Sequence, residues 1–172
     1  MFVPAVDMVL AAWHRTTSGR FSAEGTASEM PAHITLLYPF LPKPQLDTEQ
    51  LTELARIAAA TPPIDLRIAS TGRFPGVLWL DPSSLACQRL IETIRWRWPQ
   101  HPPYGRPDFQ VVPHLTVLRD ADERTIEAAD VGLRALLPLR AIAERLSVVA
   151  HEGERWIEIH SFPLQSLGGD GS

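Results

Sequence analysis

The 172 residues are 45% hydrophobic, enough for one sizeable core, and their 20 acidic against 16 basic side chains give a formal net charge of −4. That balance argues against a sequence-independent grip on long nucleic acid, so stable DNA binding is not expected, while a small or terminal anionic substrate stays open. No window approaches the roughly 20 apolar residues of a membrane span, the opening MFVPAVDMVLAAWHR has no basic stretch ahead of its apolar one, and the single Cys87 excludes an internal disulfide. The chain is therefore read as one soluble, cytoplasmic, monomeric unit.

In chain order, residues 3–13 read as a first strand, with Val6, Met8 and Leu10 alternating against Asp7 and Val9. A Ser/Thr/Gly-rich loop up to Met30 is long enough for a flap. The strand PAHITLLYPF follows, stopped by the prolines of LPKP. A helix opens at Asp47, where Gln50 three residues on completes a capping-box pattern, and Leu51, Leu54 and Ala58 form its inward stripe. Residues 64–70 and 77–80 read as two strands joined across TGRFPG, and residues 84–98 as a helix burying Cys87, Ile91, Ile94 and Trp98 on one face.

Beyond the loop PQHPPYGRPD the order repeats: strand QVVPHLTVL, a helix capped by Asp120, strand 142–149, turn HEGE and strand 155–160. His33 and His114 are 81 residues apart, and Trp79 and Trp156 are 77 apart, so one register nearly aligns both landmarks. The two halves read as copies. The tail 168–172, GGDGS, is expected to be disordered.

HITL at 33–36 and HLTV at 114–117 share the form His, apolar, Thr, apolar. From the composition such a segment arises roughly 0.1 times by chance, so two in matching contexts are non-random. Strand geometry puts His33 and Thr35 on one face about 6.6–7 Å apart, and His114 with Thr116 likewise. Were the copies related by a pseudo-twofold axis, two imidazoles and two hydroxyls would converge. One imidazole can then take a proton from an attacking oxygen and the other return one to a leaving oxygen, while the hydroxyls donate to phosphate oxygens. A lone histidine of this kind is more often a hydrogen-bonded core residue, and the matched pair shifts the balance. Zinc lacks a third ligand at suitable spacing, because His14, His101, His151 and His160 form no close cluster with the pair.

HITLLYPF with PHLTVLRD resembles the paired HxTx signature of the 2H phosphoesterase superfamily, and GRFPGVLWL with PPYG is most similar to its 2′-5′ RNA ligase family branch. The resemblance runs from about residue 3 to residue 165. It implies one bilobal α+β domain: two antiparallel sheets with helices on the outside, related by a pseudo-twofold duplication around a central groove. It further implies chemistry without metal or cofactor on 2′,3′-cyclic or 2′-5′ phosphodiester bonds of a nucleotide or RNA end. His33 and His114 would be the acid/base pair and Thr35 and Thr116 the phosphate ligands.

Five residues after each histidine stand Tyr38 and Arg119, where the superfamily often places an aromatic or basic group near the phosphate. Strict alternation would turn both away, so their use requires a bulge or a strand end. Tyr104 and Arg106, in a Pro/Gly-bounded loop, are candidates to close over a nucleoside, and Arg73 to touch a phosphate. Phe74 and Trp79 could stack a base, although Trp79 and Trp156 read more readily as matching core residues. Fifteen of the sixteen basic residues are arginine, which suits phosphate but which a genome bias explains as readily. The rival class is a non-catalytic nucleotide- or RNA-end-binding module of the same fold.

Overall fold

A computed structural model describes residues 1–17, 30–153 and 155–165, without the side chains of 14–17. The expected flap at 18–29, the side chain of His14 and the tail 168–172 lie outside the described residues.

The chain opens with a helix, α1 (Pro4–Thr17), instead of the expected strand. Val6, Leu10 and Trp13 are buried, a spacing of four and three, while Met8 is 68% exposed. The alternation that suggested a strand was a short-window coincidence, and Pro4 in the first turn suits a helix start. Ahead of α1, residues 1–3 pair with 32–34 through Val3 N to Ala32 O (2.8 Å) and Ile34 N to Met1 O (2.9 Å).

The expected strand at 31–40 is reduced to bridges at His33 and Ile34, after which the chain bends through residues 36–39 with a cis peptide at Tyr38–Pro39. Helix α2 (Thr48–Ala59) is capped by Asp47, whose side chain accepts from Gln50 N. The reciprocal half of the capping box is absent: Gln50 Oε1 instead accepts from Trp98 Nε1 at 2.6 Å. Three strands follow, β1 (Ile64–Ile68), β2 (Ser70–Phe74) and β3 (Val77–Asp81). TGRF thus belongs to a strand and only Pro75 and Gly76 turn, Gly76 at φ +71° where a side chain would be strained.

Helix α3 (Leu85–Arg97) follows its Ser84 cap and buries Cys87, Ile91 and Ile94, with Trp98 buried just past its end. Burial pushes the Cys87 thiol up to about 11, so it packs as an inert hydrophobe. The second motif strand is shorter than expected, β4 (Leu115–Leu118). Helix α4 (Glu123–Arg134) is capped by Asp122, which accepts from Thr125 N, in place of the expected Asp120; Asp120 stands at φ 55° in the turn after β4. The strand expected at 142–149 breaks at Glu144 into β5 (Leu139–Ala143) and β6 (Arg145–Glu152), and β7 (Arg155–Pro163) closes the hairpin.

The pairings are non-local. β1 joins β5, β2–β3–β4 form one antiparallel sheet, and β6 joins β7. β1 therefore leaves its neighbours for a partner some 75 residues on, which local alternation could not reveal. α4 packs on β2 and β3, and α2 on β6 and β7, so each motif's following helix covers a hairpin drawn from the opposite half. The result is two lobes of antiparallel sheet with helices outside, and the order helix, motif, helix, three strands occurs twice.

Asp130 ties α4 to β2. It is buried, accepting from Thr71 Oγ1, from Arg73 Nη2 at 2.8 Å and from Arg134 Nε at 3.0 Å. Burial alone would raise its carboxyl, but the hydrogen bonds from Arg134, Thr71 and Arg73 outweigh that and hold it down to about 2. Its contribution to stability is thus complete above the ordinary carboxylate pKa near 4 and is lost as pH falls from there toward 2. Asp130→Asn is expected to cost about 2 kcal/mol at pH 7, with the deficit shrinking below pH 4. Urea melts at pH 7 and pH 3 check this, and an equal deficit at both would contradict it.

Candidate active site

Burial follows a period of two through both motifs. Ala32, Ile34 and Leu36 are buried while His33 and Thr35 are half-buried, and Leu115 and Val117 are buried while His114 and Thr116 are half-buried. Apolar neighbours anchor each segment and turn its imidazole and hydroxyl to one open face. An antiparallel bridge between Ile34 and Leu115 sets the two segments side by side. Its register places His33 opposite Thr116 and His114 opposite Thr35, and directly opposed Cβ atoms lie about 4.5–5.5 Å apart. Each imidazole therefore has the other motif's hydroxyl as its cross-strand neighbour.

The two rings are held alike. Nδ1 of His33 lies 2.9 Å from the Pro31 carbonyl oxygen, and Nδ1 of His114 lies 2.7 Å from that of Val112. A carbonyl can only accept, so in the neutral ring Nδ1 carries the hydrogen and Nε2 keeps its lone pair. Phe2 packs edge-on to His33, with ring centroids 6.3 Å apart. Phe74 (5.3 Å) and Trp79 (5.9 Å) pack against His114. Burial accordingly lowers both imidazole pKa values; the carbonyl bonds oppose this, and nearby positive charge adds to it, the N-terminal ammonium, Arg119 and His114 in the case of His33 and Arg119 in the case of His114.

Arg119 stands one residue past the end of β4, the strand end its role requires, and among the described residues it pairs with no carboxylate. Together with His33, Thr35, Tyr38 and Tyr104 it lines a cavity of about 640 Å³ between the first motif segment and the β6–β7 hairpin. Tyr38 and Tyr104 meet there edge to face, 6.0 Å apart, and Tyr104 N donates to Tyr38 O at 2.8 Å. His114 and Thr116 lie outside this cavity, beside Phe74 and Trp79.

Arg73 is not brought to it. Its guanidinium is paired with Glu123 and Asp130 at 2.8 Å each, on the β2 face covered by α4, so its expected phosphate contact is not carried further. Trp79 and Trp156 are half-buried site-face residues outside the core cluster. Trp79 lies over Gly72, where a Cβ would meet its ring at 2.1 Å, so glycine is what makes room for the indole beside His114. Trp156 lines the cavity with His151, against Tyr38. The residues from β6 and β7 were missed because that hairpin, local in itself, packs beside a motif remote in sequence; the equal placement of the two tryptophans was the available signal. His101 is half-buried against Phe40. Among the described residues no three His, Cys, Asp or Glu side chains form a metal-binding cluster, and no helix is long and apolar enough to cross a membrane.

A two-lobed α+β architecture with two His-x-Thr segments paired at its centre is that of the 2H phosphoesterases. The family model of the 2′-5′ RNA ligase superfamily matches residues 6–155, and the chain belongs to that superfamily. Similar solved structures are TT0787 of Thermus thermophilus (TM-score 0.68, 17% identity, 96% of this chain and 97% of that one) and E. coli LigT complexed with 3′-AMP (0.58, 16%, 92% of each). Among curated proteins, "Putative phosphoesterase GK0864" of Geobacillus kaustophilus (strain HTA426) is 36% identical over 100 residues, 53% of each chain. A "Putative phosphoesterase" of Geobacillus thermodenitrificans (strain NG80-2) is 32% identical over 94 residues, again 53% of each. The match thus spans about half the length of these curated relatives.

Because the Arg119 charge disfavours both imidazolium forms, Arg119→Met is expected to move both histidine titrations to higher pH. NMR titration of the ring Cε1 protons reads this directly. Unchanged or lowered midpoints would mean the guanidinium does not reach the pair.

Proposed function

We propose that the protein is a phosphodiesterase that opens 2′,3′-cyclic phosphates or cleaves 2′-5′ linkages at nucleotides or RNA ends by two-histidine acid/base catalysis without a metal. The observation that carries this reading is the identical tethering by Nδ1 of two histidines on bridged segments, which leaves two Nε2 atoms for proton transfer. One Nε2, unprotonated, takes a proton from water as its oxygen attacks phosphorus. The bond from phosphorus to one ribose oxygen breaks, and the other imidazolium gives that oxygen its proton. Thr35, Thr116 and Arg119 donate to the non-bridging oxygens as charge builds, with Tyr38 and Tyr104 flanking the nucleoside.

Burial disfavours the protonated form of both rings in the unliganded protein. An anionic phosphate raises the affinity of a nearby imidazole for its proton, so substrate itself favours the protonated acid. With a 5′-hydroxyl in place of water as the attacking oxygen, the same two groups would join it to a cyclic phosphate, the bond from phosphorus to one ribose oxygen breaking as before. The 3′-AMP bound by LigT supports a nucleotide-type substrate.

Hydrolysis of the four 2′,3′-cyclic nucleotides in EDTA by wild type, His33→Ala and His114→Ala tests the reading. Wild-type turnover is expected to survive EDTA, and each variant to lose about 10²–10⁴-fold in kcat. Turnover that requires added metal, or that persists in either variant, would overturn it; binding without turnover of any cyclic or 2′-5′ substrate would favour the non-catalytic module.

A further inference from the structure

Ring contacts continue past the cavity. His151 packs on Trp156 (5.2 Å between centroids), Trp156 on Tyr38 (6.1 Å), Tyr38 on Tyr104 (6.0 Å) and Tyr104 on Phe109 (5.0 Å), all edge to face. The first four line the cavity, whereas Phe109 lies beyond it on the loop before the second motif. Each edge-to-face contact covers a face of only one of its two rings, and an uncovered ring face is the surface on which bases stack.

The loop that carries this extension is rigid and strained. Tyr104 sits at φ 53°, ψ 28°, a left-handed conformation rare for a bulky side chain, yet 50% of the residue is exposed, so burial does not account for its being held there. Hydrogen bonds from Tyr104 N to Tyr38 O, Gly105 N to Pro102 O, Arg106 N to Pro103 O and Phe109 N to Arg106 O fix the backbone. Arg95 Nη2 tethers it from α3 through Pro107 O at 3.2 Å. Arg106 holds its guanidinium 5.4 Å from the Phe109 ring centroid, is exposed, and among the described residues pairs with no carboxylate.

We propose that Tyr104, Arg106 and Phe109 form an outer nucleotide subsite, and that the substrate is the end of a single-stranded RNA of two or more nucleotides rather than a free cyclic mononucleotide. This rests on the reading of the histidine site given above. A strand leaving the cavity past Tyr104 meets a base-stacking ring and an uncompensated cation suited to its next phosphate. The net charge of −4 disfavours long polyanions at a distance, but this contact is local and short, and salt screens the remainder.

The test compares kcat/KM for 2′,3′-cyclic AMP with that for a tetranucleotide ending in 2′,3′-cyclic adenosine, for wild type and for Arg106→Gln/Phe109→Ala. Wild type is expected to favour the tetranucleotide by about tenfold or more, and the double variant to lose that preference. Equal preference in both proteins overturns the inference. If wild type turns over neither substrate, the catalytic reading fails. The subsite is then judged by fluorescence anisotropy with a 5′-fluorescein tetranucleotide bearing a 3′-phosphate: affinity about tenfold weaker in the variant upholds it, and equal affinity overturns it.

Discussion

The antiparallel bridge between Ile34 and Leu115 is the constraint on which the site depends. Both side chains are fully buried, so the position between each histidine and its threonine is fixed in the core. Because strand side chains alternate, burying those two residues obliges the histidine and threonine on either side of each to face outward together. A slip of one residue in either segment would send an imidazole into the core and an isoleucine or leucine into the groove, which makes the register strongly specified. The polar site is thus aligned by apolar packing beneath it.

Around that centre each motif is supported by material from the other half of the chain. β4 joins β2 and β3, with α4 behind and Asp130 clamping Thr71, Arg73 and Arg134, while the first motif segment faces β6 and β7 across the cavity. Neither half can complete its motif's surroundings alone. The two sides differ in what they present: Phe74 and Trp79 crowd His114, whereas Tyr38, Tyr104 and Trp156 open a roomy apolar-walled cavity beside His33 and Arg119. Two imidazoles tethered alike therefore stand in unequal surroundings, which would give them distinct roles in the proposed acid/base chemistry.

The paired motifs, the helix cap at Asp47 and the buried face of α3 were legible in the sequence because each is a local pattern with a local cause. The first helix was not, because Val6, Met8 and Leu10 mimic a period of two over five residues, while Val6, Leu10 and Trp13 carry the true spacing. Strand partners were not legible either: Ile64 pairs with Ala143, and nothing near either residue records it. Trp156 read as core because nothing local records that its hairpin packs beside the first motif, which puts it on the cavity wall. Arg73 read as a phosphate contact by residue type alone, and the carboxylates that occupy it come from a helix 50 residues on.

The central claim is that His33 and His114 work as one unit. A double-mutant cycle in single-turnover rates on the substrate that wild type hydrolyses best, using His33→Ala, His114→Ala and the double variant, tests it most directly. Groups that share one proton-transfer step are grossly non-additive, so the double variant should be little slower than either single one. Losses that multiply would show the two histidines acting independently and would contradict the paired mechanism.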